Sequence, residues 1–414
     1  MSRNSSWPII VVTGANSGVG FGICHRLLLQ LSSKSPRDAH PQYDFHNKEK
    51  NFEELDTSYD GLTLILACRS KQRAEVAKEK LYKLVDDHIA RLRTSPQYDG
   101  HADTFRSNLT IAVHTVDLSH IQSVFRFADE VSTKYPYISH LICNAGVASF
   151  AKINWLEATK QLITDWIGAV TAPLFYVQTV GERSADGLGW VWQCNVFGHY
   201  VLFKALEPHL AKYKISTGAR VIWMSSHEAN SKFYDPNDWQ LVQSEHSYEC
   251  SKYQMDMLSL HLDRQALQDH TNSGPIVRHI TVLPGVAGTN IASALLGQLS
   301  SLGMFIAFYI ARWMGSPYHL ITAFKASISA VHLCLVPIIF LPIVTALTTS
   351  NTKDAATLAE VGVRYVSQSD RLGRERVGMV KLTQSRAEKD QTDQLVKNCE
   401  HLLKEFSQAE GRPW

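Results

Sequence analysis

Tyr248 and Lys252 stand four residues apart in the segment Tyr-Glu-Cys-Ser-Lys. On a helix that separation is about one turn, so both side chains leave the same face. A phenol beside an ammonium is a proton donor whose ionised form the cation favours. Far upstream lies Thr13-Gly-Ala-Asn-Ser-Gly-Val-Gly20, with Gly14, Gly18 and Gly20 set between an apolar run and a helical periodicity. Glycines there let the backbone approach a pyrophosphate, and the free amides of the helix that follows attract its charge. Ser17 and Val19 belong to the same turn. The spacing is GxxxGxG rather than GxGxxG, and a glycine triplet alone is weak because tight strand-to-helix turns need glycine anyway. Together the two segments describe hydride chemistry with a phenolic acid, which is carbonyl reduction.

Three further positions bear on the nucleotide. The second apolar run ends Ala67-Cys68-Arg69-Ser70, with a cation where an acid would hold the free ribose hydroxyls of NAD. Arg69 at that point favours the extra phosphate of NADPH. Asp117 closes the third run and suits either an adenine amino group or the cap of the next helix. Asn144-Ala145-Gly146 closes the fourth, where a cofactor would cross the sheet edge.

These residues need a frame, and the pattern supplies one. Apolar runs at 7–13, 62–67, 109–116, 140–143, 220–224 and 279–283 alternate with helical periodicities. Such alternation implies an α/β fold, a doubly wound parallel sheet with helices on both faces. The chain of 414 residues reads as one large domain, 1–325, with polar or aromatic-rich insertions at about 32–61, 94–108 and 151–190. A nearly charge-free stretch, 326–352, follows; it is long enough to cross a bilayer but is interrupted by Pro337 and Pro342, so a membrane-associated or interface segment is expected. Residues 353–414 read as a tail in which Leu395, Cys399, Leu402 and Phe406 form one stripe of a docked helix. The net charge of +2 gives no pointer to nucleic acid, and seven scattered cysteines without a CxxC pair read as reduced thiols.

In order along the chain, TGANSGVG at 13–20, NAG at 144–146, Asn195 in Asn-Val-Phe-Gly, Ser226 after Val-Ile-Trp-Met-Ser, Tyr248 with Lys252, and Pro284-Gly285 resemble the short-chain dehydrogenases/reductases. The resemblance covers about residues 8–290. It implies a Rossmann sheet and a proton relay of Asn195, Ser226, Tyr248 and Lys252, with Val286 and Thr289 completing the cofactor site. Choosing Ser226 over the adjacent Ser225 rests on that family pattern.

Two gaps exceed those of compact members: 22 residues from Ser226 to Tyr248 and 51 from Asn144 to Asn195. The inserts, with Tyr309-Ile-Ala-Arg-Trp-Met-Gly-Ser-Pro, resemble the fungal 3-keto-steroid reductases of sterol C-4 demethylation, up to about residue 330. That implies a sterol substrate, NADPH, ergosterol biosynthesis, the cytosolic face of the endoplasmic reticulum membrane or lipid droplets, and other C-4 demethylation enzymes as partners. Trp155, Trp166, Phe175, Trp190, Phe233, Trp239, Phe305, Phe308 and Trp313 in or near the inserts suit a flat apolar ligand, or an extended core under long loops. A reductase of another lipid carbonyl, such as a retinoid or different steroid, is the nearest alternative; a non-catalytic nucleotide-binding scaffold at the membrane is the other.

Overall fold

The computed structural model describes residues 7–41, 58–213, 218–269, 276–288, 298–341 and 358–413. Its central sheet grows from short runs of β-branched and aliphatic residues. In β1 (Ile9–Thr13) all five side chains are buried, Ile9 and Val11 into one core and Ile10 and Val12 into the other. Strands covered on both faces read as continuous apolar runs because alternate residues serve opposite cores. The others are β2 (Leu62–Cys68), β3 (Leu109–Thr115), β4 (His140–Cys143), β7 (Ala219–Met224) and β8 (Val277–Leu283). Spatial order is β3-β2-β1-β4-β7-β8, all parallel, so strand order reverses between β1 and β4. In a doubly wound sheet that reversal opens a crevice at the carboxyl ends of the strands, where ligands bind.

Helices α1 (Gly18–Leu31) and α2 (Lys71–Leu92) cover one face. Helices α4 (Ile121–Lys134), α8 (Gly198–Leu210) and α9 (Ser247–Asp269) cover the other. The 94–108 segment, expected as a polar insertion, contains α3 (His101–Ser107), which buries Ala102 and Phe105; its apolar residues are too few to show a period. Residues 150–178 form a small antiparallel pair, β5 (Phe150–Ile153) and β6 (Tyr176–Gln178), joined through α5 (Trp155–Thr164) and α6 (Trp166–Thr171). A short helix, α7 (Trp190–Trp192), continues through a π turn, Gln193–Phe197, into α8.

The C-terminal part differs from a tail. Strand β11 (Leu358–Ser369) adds in parallel to β8, and β12 (Glu375–Ser385) pairs antiparallel at the sheet edge, before the final helix, Arg386–Ala409. Charges along both strands mask their alternation. A capping box of Ser385 and Glu388 starts that last helix.

The apolar run 326–352 is also placed differently as far as it is described. Ile328–Leu335 is a helix buried along its whole length, and the guanidinium of Arg220 on β7 donates to the carbonyls of Leu333 and Val336 at its end. Its hydrophobicity is that of a core element; residues 342–352 lie outside the described set. No described helix is long and apolar enough to cross a membrane. Part of the 32–61 insertion is buried too. Asp38 forms a bidentate pair with Arg26, and its carbonyl accepts from His332 at 2.7 Å, so polar residues here hide in satisfied pairs.

Candidate active site

A cavity of about 930 Å³ occupies the crevice at the β1/β4 reversal. The β1–α1 turn forms its floor. Gly14 and Gly18 have φ of 66° and 54°, the left-handed region that favours glycine. A Cβ on Gly20 would stand 2.4 Å from the Gly14 carbonyl oxygen, so that position admits no side chain. Ser17 and Val19 line the cavity with Gly14 and Gly18, while Gly20 sits behind them in the turn. The Asn144 carboxamide donates to the Thr13 carbonyl at 2.9 Å, while the Thr13 hydroxyl accepts from the amides of Asn144 and Ala145, locking the ends of β1 and β4 together.

Arg69 reaches the cavity at the end of β2, and so does Arg73, one turn into α2. Arg73 was missed because a lysine- and arginine-rich helix start offers no reason to single out one cation; its distance of four from Arg69 was the available signal. Asp117 also lines the cavity, and Oδ1 accepts from the amide and hydroxyl of Ser119. It thus closes the turn ahead of α4 rather than capping that helix, whose N-cap is His120 with no side-chain cap, and the adenine role stays open to it. Val286 faces the same space. Thr289 lies outside the described residues.

Tyr248 and Lys252 project from the first turns of α9. Tyr248 is buried, and Phe150 meets its ring edge-on with centroids 5.9 Å apart. The Lys252 ammonium lies 5.8 Å from the Tyr248 ring centre and donates to the Met224 carbonyl at 2.8 Å. Burial pushes the Tyr248 phenol well up from its ordinary range, Glu228 adds to that, and a hydrogen bond with Ser226 opposes it. Ser226 thus eases ionisation of this phenol through that hydrogen bond. Lys252 is itself desolvated: burial brings its ammonium down to about 8, against the pull of Asp256 and Glu228. Asp256 sits one turn further along α9 and pairs with Arg364 of β11 at 2.6 Å.

The adjacent serines separate by geometry. Ser225 donates to the Lys252 carbonyl at 3.3 Å, whereas Ser226 turns to the phenol and accepts from the Glu228 amide at 3.2 Å. Asn195 lies in the π turn, a helix irregularity frequent at functional sites. Its carboxamide accepts from the Val147 amide at 2.8 Å and donates to the Val147 carbonyl and to Ser251, each at 2.9 Å. Both Asn195 Oδ1 and Lys252 Nζ flank Gly146. Burial lowers His199 to about 4, so its ring is neutral. The Asn195 carbonyl can only accept, which puts the ring proton on Nδ1 and leaves Nε2 to accept from the Thr13 hydroxyl at 2.9 Å.

Gln178, at the end of β6, was not anticipated. Its oxygen accepts from the Tyr248 amide and the Ser247 hydroxyl, each at 2.9 Å, and its nitrogen donates to Glu249 at 2.5 Å. The insert thereby holds the free amide end of α9, a task for which one glutamine in a long loop gives no sequence pattern. Beyond Tyr248 the cavity is walled by Trp155, Leu162, Phe175, Trp190, Met304 and Phe308. Three of the other aromatics serve other ends: Trp239 packs edge-on to Trp192, Phe233 stacks on His246, and Phe305 meets Phe308.

No family model matches the chain. A 3-keto-steroid reductase of Eremothecium gossypii is 37% identical over 212 residues, 51% of this chain and 58% of that relative. The Schizosaccharomyces pombe 3-keto-steroid reductase erg27 is 30% identical over 318 residues, 77% of this chain and 79% of its own. The chain belongs to the 3-keto-steroid reductase family. The Aspergillus fumigatus 3-keto-steroid reductase erg27 agrees at 31% identity across 79% of this chain and 72% of its own. A solved complex of Pseudomonas aeruginosa RhlG with NADP covers 81% of this chain and 93% of its own at 15% identity, with a TM-score of 0.48. As a member of a reductase family the chain is an oxidoreductase.

Proposed function

We propose that this chain reduces the C3 ketone of a 4-demethylated 3-keto sterol to the 3β-alcohol, with NADPH, in ergosterol biosynthesis. The observation that carries the reading is that one cavity joins the glycine turn, the Ser226–Tyr248 pair and an apolar chamber built by the inserts. The residues present fit the dinucleotide. Gly14, Ser17, Gly18 and Val19 form a cradle whose turn closes because Gly20 leaves room for the Gly14 carbonyl and the Asn144 carboxamide, and Arg69 with Arg73 suits an added phosphate. Asp117 would hold the adenine, and Asn144 and Val286 would border the nicotinamide half. When bound, NADPH supplies the hydride.

The chain's residues supply the rest. Ser226 donates to the ketone oxygen and stabilises the charge that grows there. Tyr248 then gives its proton to that oxygen, leaving a phenolate that Lys252 and Ser226 stabilise until solvent restores the proton. Asn195 fixes the β4 loop and, through Ser251, the backbone of Tyr248. The apolar wall accepts the sterol rings and excludes water.

Incubation of the purified chain with NADPH and a panel of ketones tests this. Turnover of 3-keto sterols in preference to retinoid and other steroid carbonyls is expected, and none of the former would refute the reading. Cells lacking the chain should accumulate sterol 3-ketones. The same reading proposes a place at the cytosolic face of the endoplasmic reticulum membrane or on lipid droplets, beside other C-4 demethylation enzymes. Fractionation of tagged protein with markers of those membranes checks it.

A further inference from the structure

One surface is accounted for neither by the reaction nor by the core. Helix α10 (Gln298–Trp313) buries Phe308 and Ala311. Its outward side carries Leu302, Ile306, Tyr309, Ile310 and Trp313, all exposed, with Trp313 at 74%. Those positions fall on one helical stripe, where a surface helix normally places polar groups. α6 packs against α10, and α5 against α6. This pair adds Trp155, Leu156, Leu162, Ile163 and Ile167, again exposed. Scattered apolar residues on a surface mean little, but a contiguous face of this size marks a docking site.

The face is continuous with the cavity. Trp155 and Leu162 are exposed and also line the chamber, and on α10 the intervening Gly303, Met304, Ala307 and Phe308 line it from within. One helix therefore has the apolar chamber on its inner side and an apolar surface on its outer side.

Charge gathers at the edge of that face. The Arg312 guanidinium lies 4.8 Å from the Tyr309 ring centre and packs over Gly373, while that of Arg371 packs over Gly315. Between β11 and β12, Leu372 is 75% exposed, flanked by Arg371 and by Arg374, whose partner Asp370 is 3.8 Å away. Exposed tryptophan, aliphatic residues and a rim of guanidinium groups match the levels of an anionic bilayer surface, from acyl chains to phosphates. No described helix could span it.

We propose that the outer face of α10, with α5 and α6, docks this chain on the surface of an anionic phospholipid bilayer, so that the cavity opens at acyl-chain depth. A water-insoluble substrate then passes laterally between membrane and site. Only this last step rests on the sterol reading; docking does not.

The test is flotation of the purified full chain with vesicles of phosphatidylcholine alone and of phosphatidylcholine with a minor fraction of phosphatidylserine. Wild type should float, and more strongly with the serine lipid. Ile306→Glu/Ile310→Glu should weaken partition by about tenfold or more, while dinucleotide binding shows that the variant is folded. Arg371→Glu/Arg374→Glu should abolish only the preference for anionic vesicles. Failure of wild type to float with either vesicle, flotation of the isoleucine variant like wild type, or a dimer in solution that this variant dissolves would each overturn the proposal. Absence of turnover on detergent-dispersed 3-keto steroid, with flotation as expected, would instead refute the proposed function and leave docking standing.

Discussion

The two ends of the cavity are built in opposite ways. At the nucleotide end, geometry comes from backbone: positive φ at Gly14 and Gly18, a carbonyl where any side chain at Gly20 would go, and the amides of Asn144 and Ala145 held by Thr13. At the chamber end, geometry comes from side-chain bulk on elements far apart in sequence, Trp155 on α5, Trp190 on α7 and Phe308 on α10. Backbone geometry tolerates almost no substitution, whereas apolar volume can be redistributed among neighbours. The catalytic helix α9 lies between the two and is tied to both, through Asn195 on one side and Gln178 on the other.

If the division holds, the largest effects belong to groups with no substitute. Tyr248→Phe removes the proton donor and should lower turnover by roughly 10²–10⁴-fold, with dinucleotide affinity and melting temperature little changed. Steady-state rates beside a binding titration check both halves, and retained activity would mean that another group delivers the proton. Next in size is Arg69→Asp. It should weaken NADPH by roughly 1.5–3 kcal/mol while leaving NADH nearly untouched. Equal losses for both cofactors would remove Arg69 from phosphate recognition; a small loss for NADPH alone would shift the role toward Arg73.

The same contrast governs what was legible in the sequence. The nucleotide end and the Tyr248–Lys252 pair were readable because their function depends on residue type at fixed local spacing. Gln178 was not, since its partners Ser247, Tyr248 and Glu249 lie about 70 residues away in sequence. The buried Ile328–Leu335 helix resembled a membrane segment because composition does not distinguish a protein core from lipid; only the polar partners at its end, Arg220 above all, reveal which it is. β11 and β12 read as tail because Arg364, Glu375, Arg376 and Lys381 break their apolar pattern, yet Arg364 is what pairs with Asp256 behind Lys252.

Gln178→Ala should have a middling effect. It leaves the Tyr248 amide and the Ser247 hydroxyl without their acceptor, a cost of about 1–3 kcal/mol of stability, and lowers turnover several-fold through misplacement of Tyr248. Thermal melting and kcat together report it, and a normal melt with normal kcat would show that the insert does not hold α9.

The finest distinction concerns Glu228, which lines the cavity and whose Oε2 is buried without a hydrogen-bond partner. Burial pushes its carboxyl up to about 8, Glu249 adds to this, and Lys252 opposes it. Between the usual carboxylate range and pH 8 the folded chain therefore keeps a proton that the unfolded chain has released. Stability from this group is complete below that window and is lost as pH rises through it. Lys252 acts in the reverse sense: with its own value lowered to about 8, the unfolded chain binds the extra proton between there and 10.5, so its contribution rises with pH. Comparing wild type with Glu228→Gln isolates the carboxyl. The two should melt alike near pH 5, and the variant should melt higher near pH 9, by no more than a few kcal/mol in stability. Because ionised Glu228 also raises the Tyr248 phenol, Glu228→Gln should begin to lose its turnover at a lower alkaline pH than wild type. Parallel pH profiles for the two proteins would mean that this carboxyl ionises freely and has no influence on the proton donor.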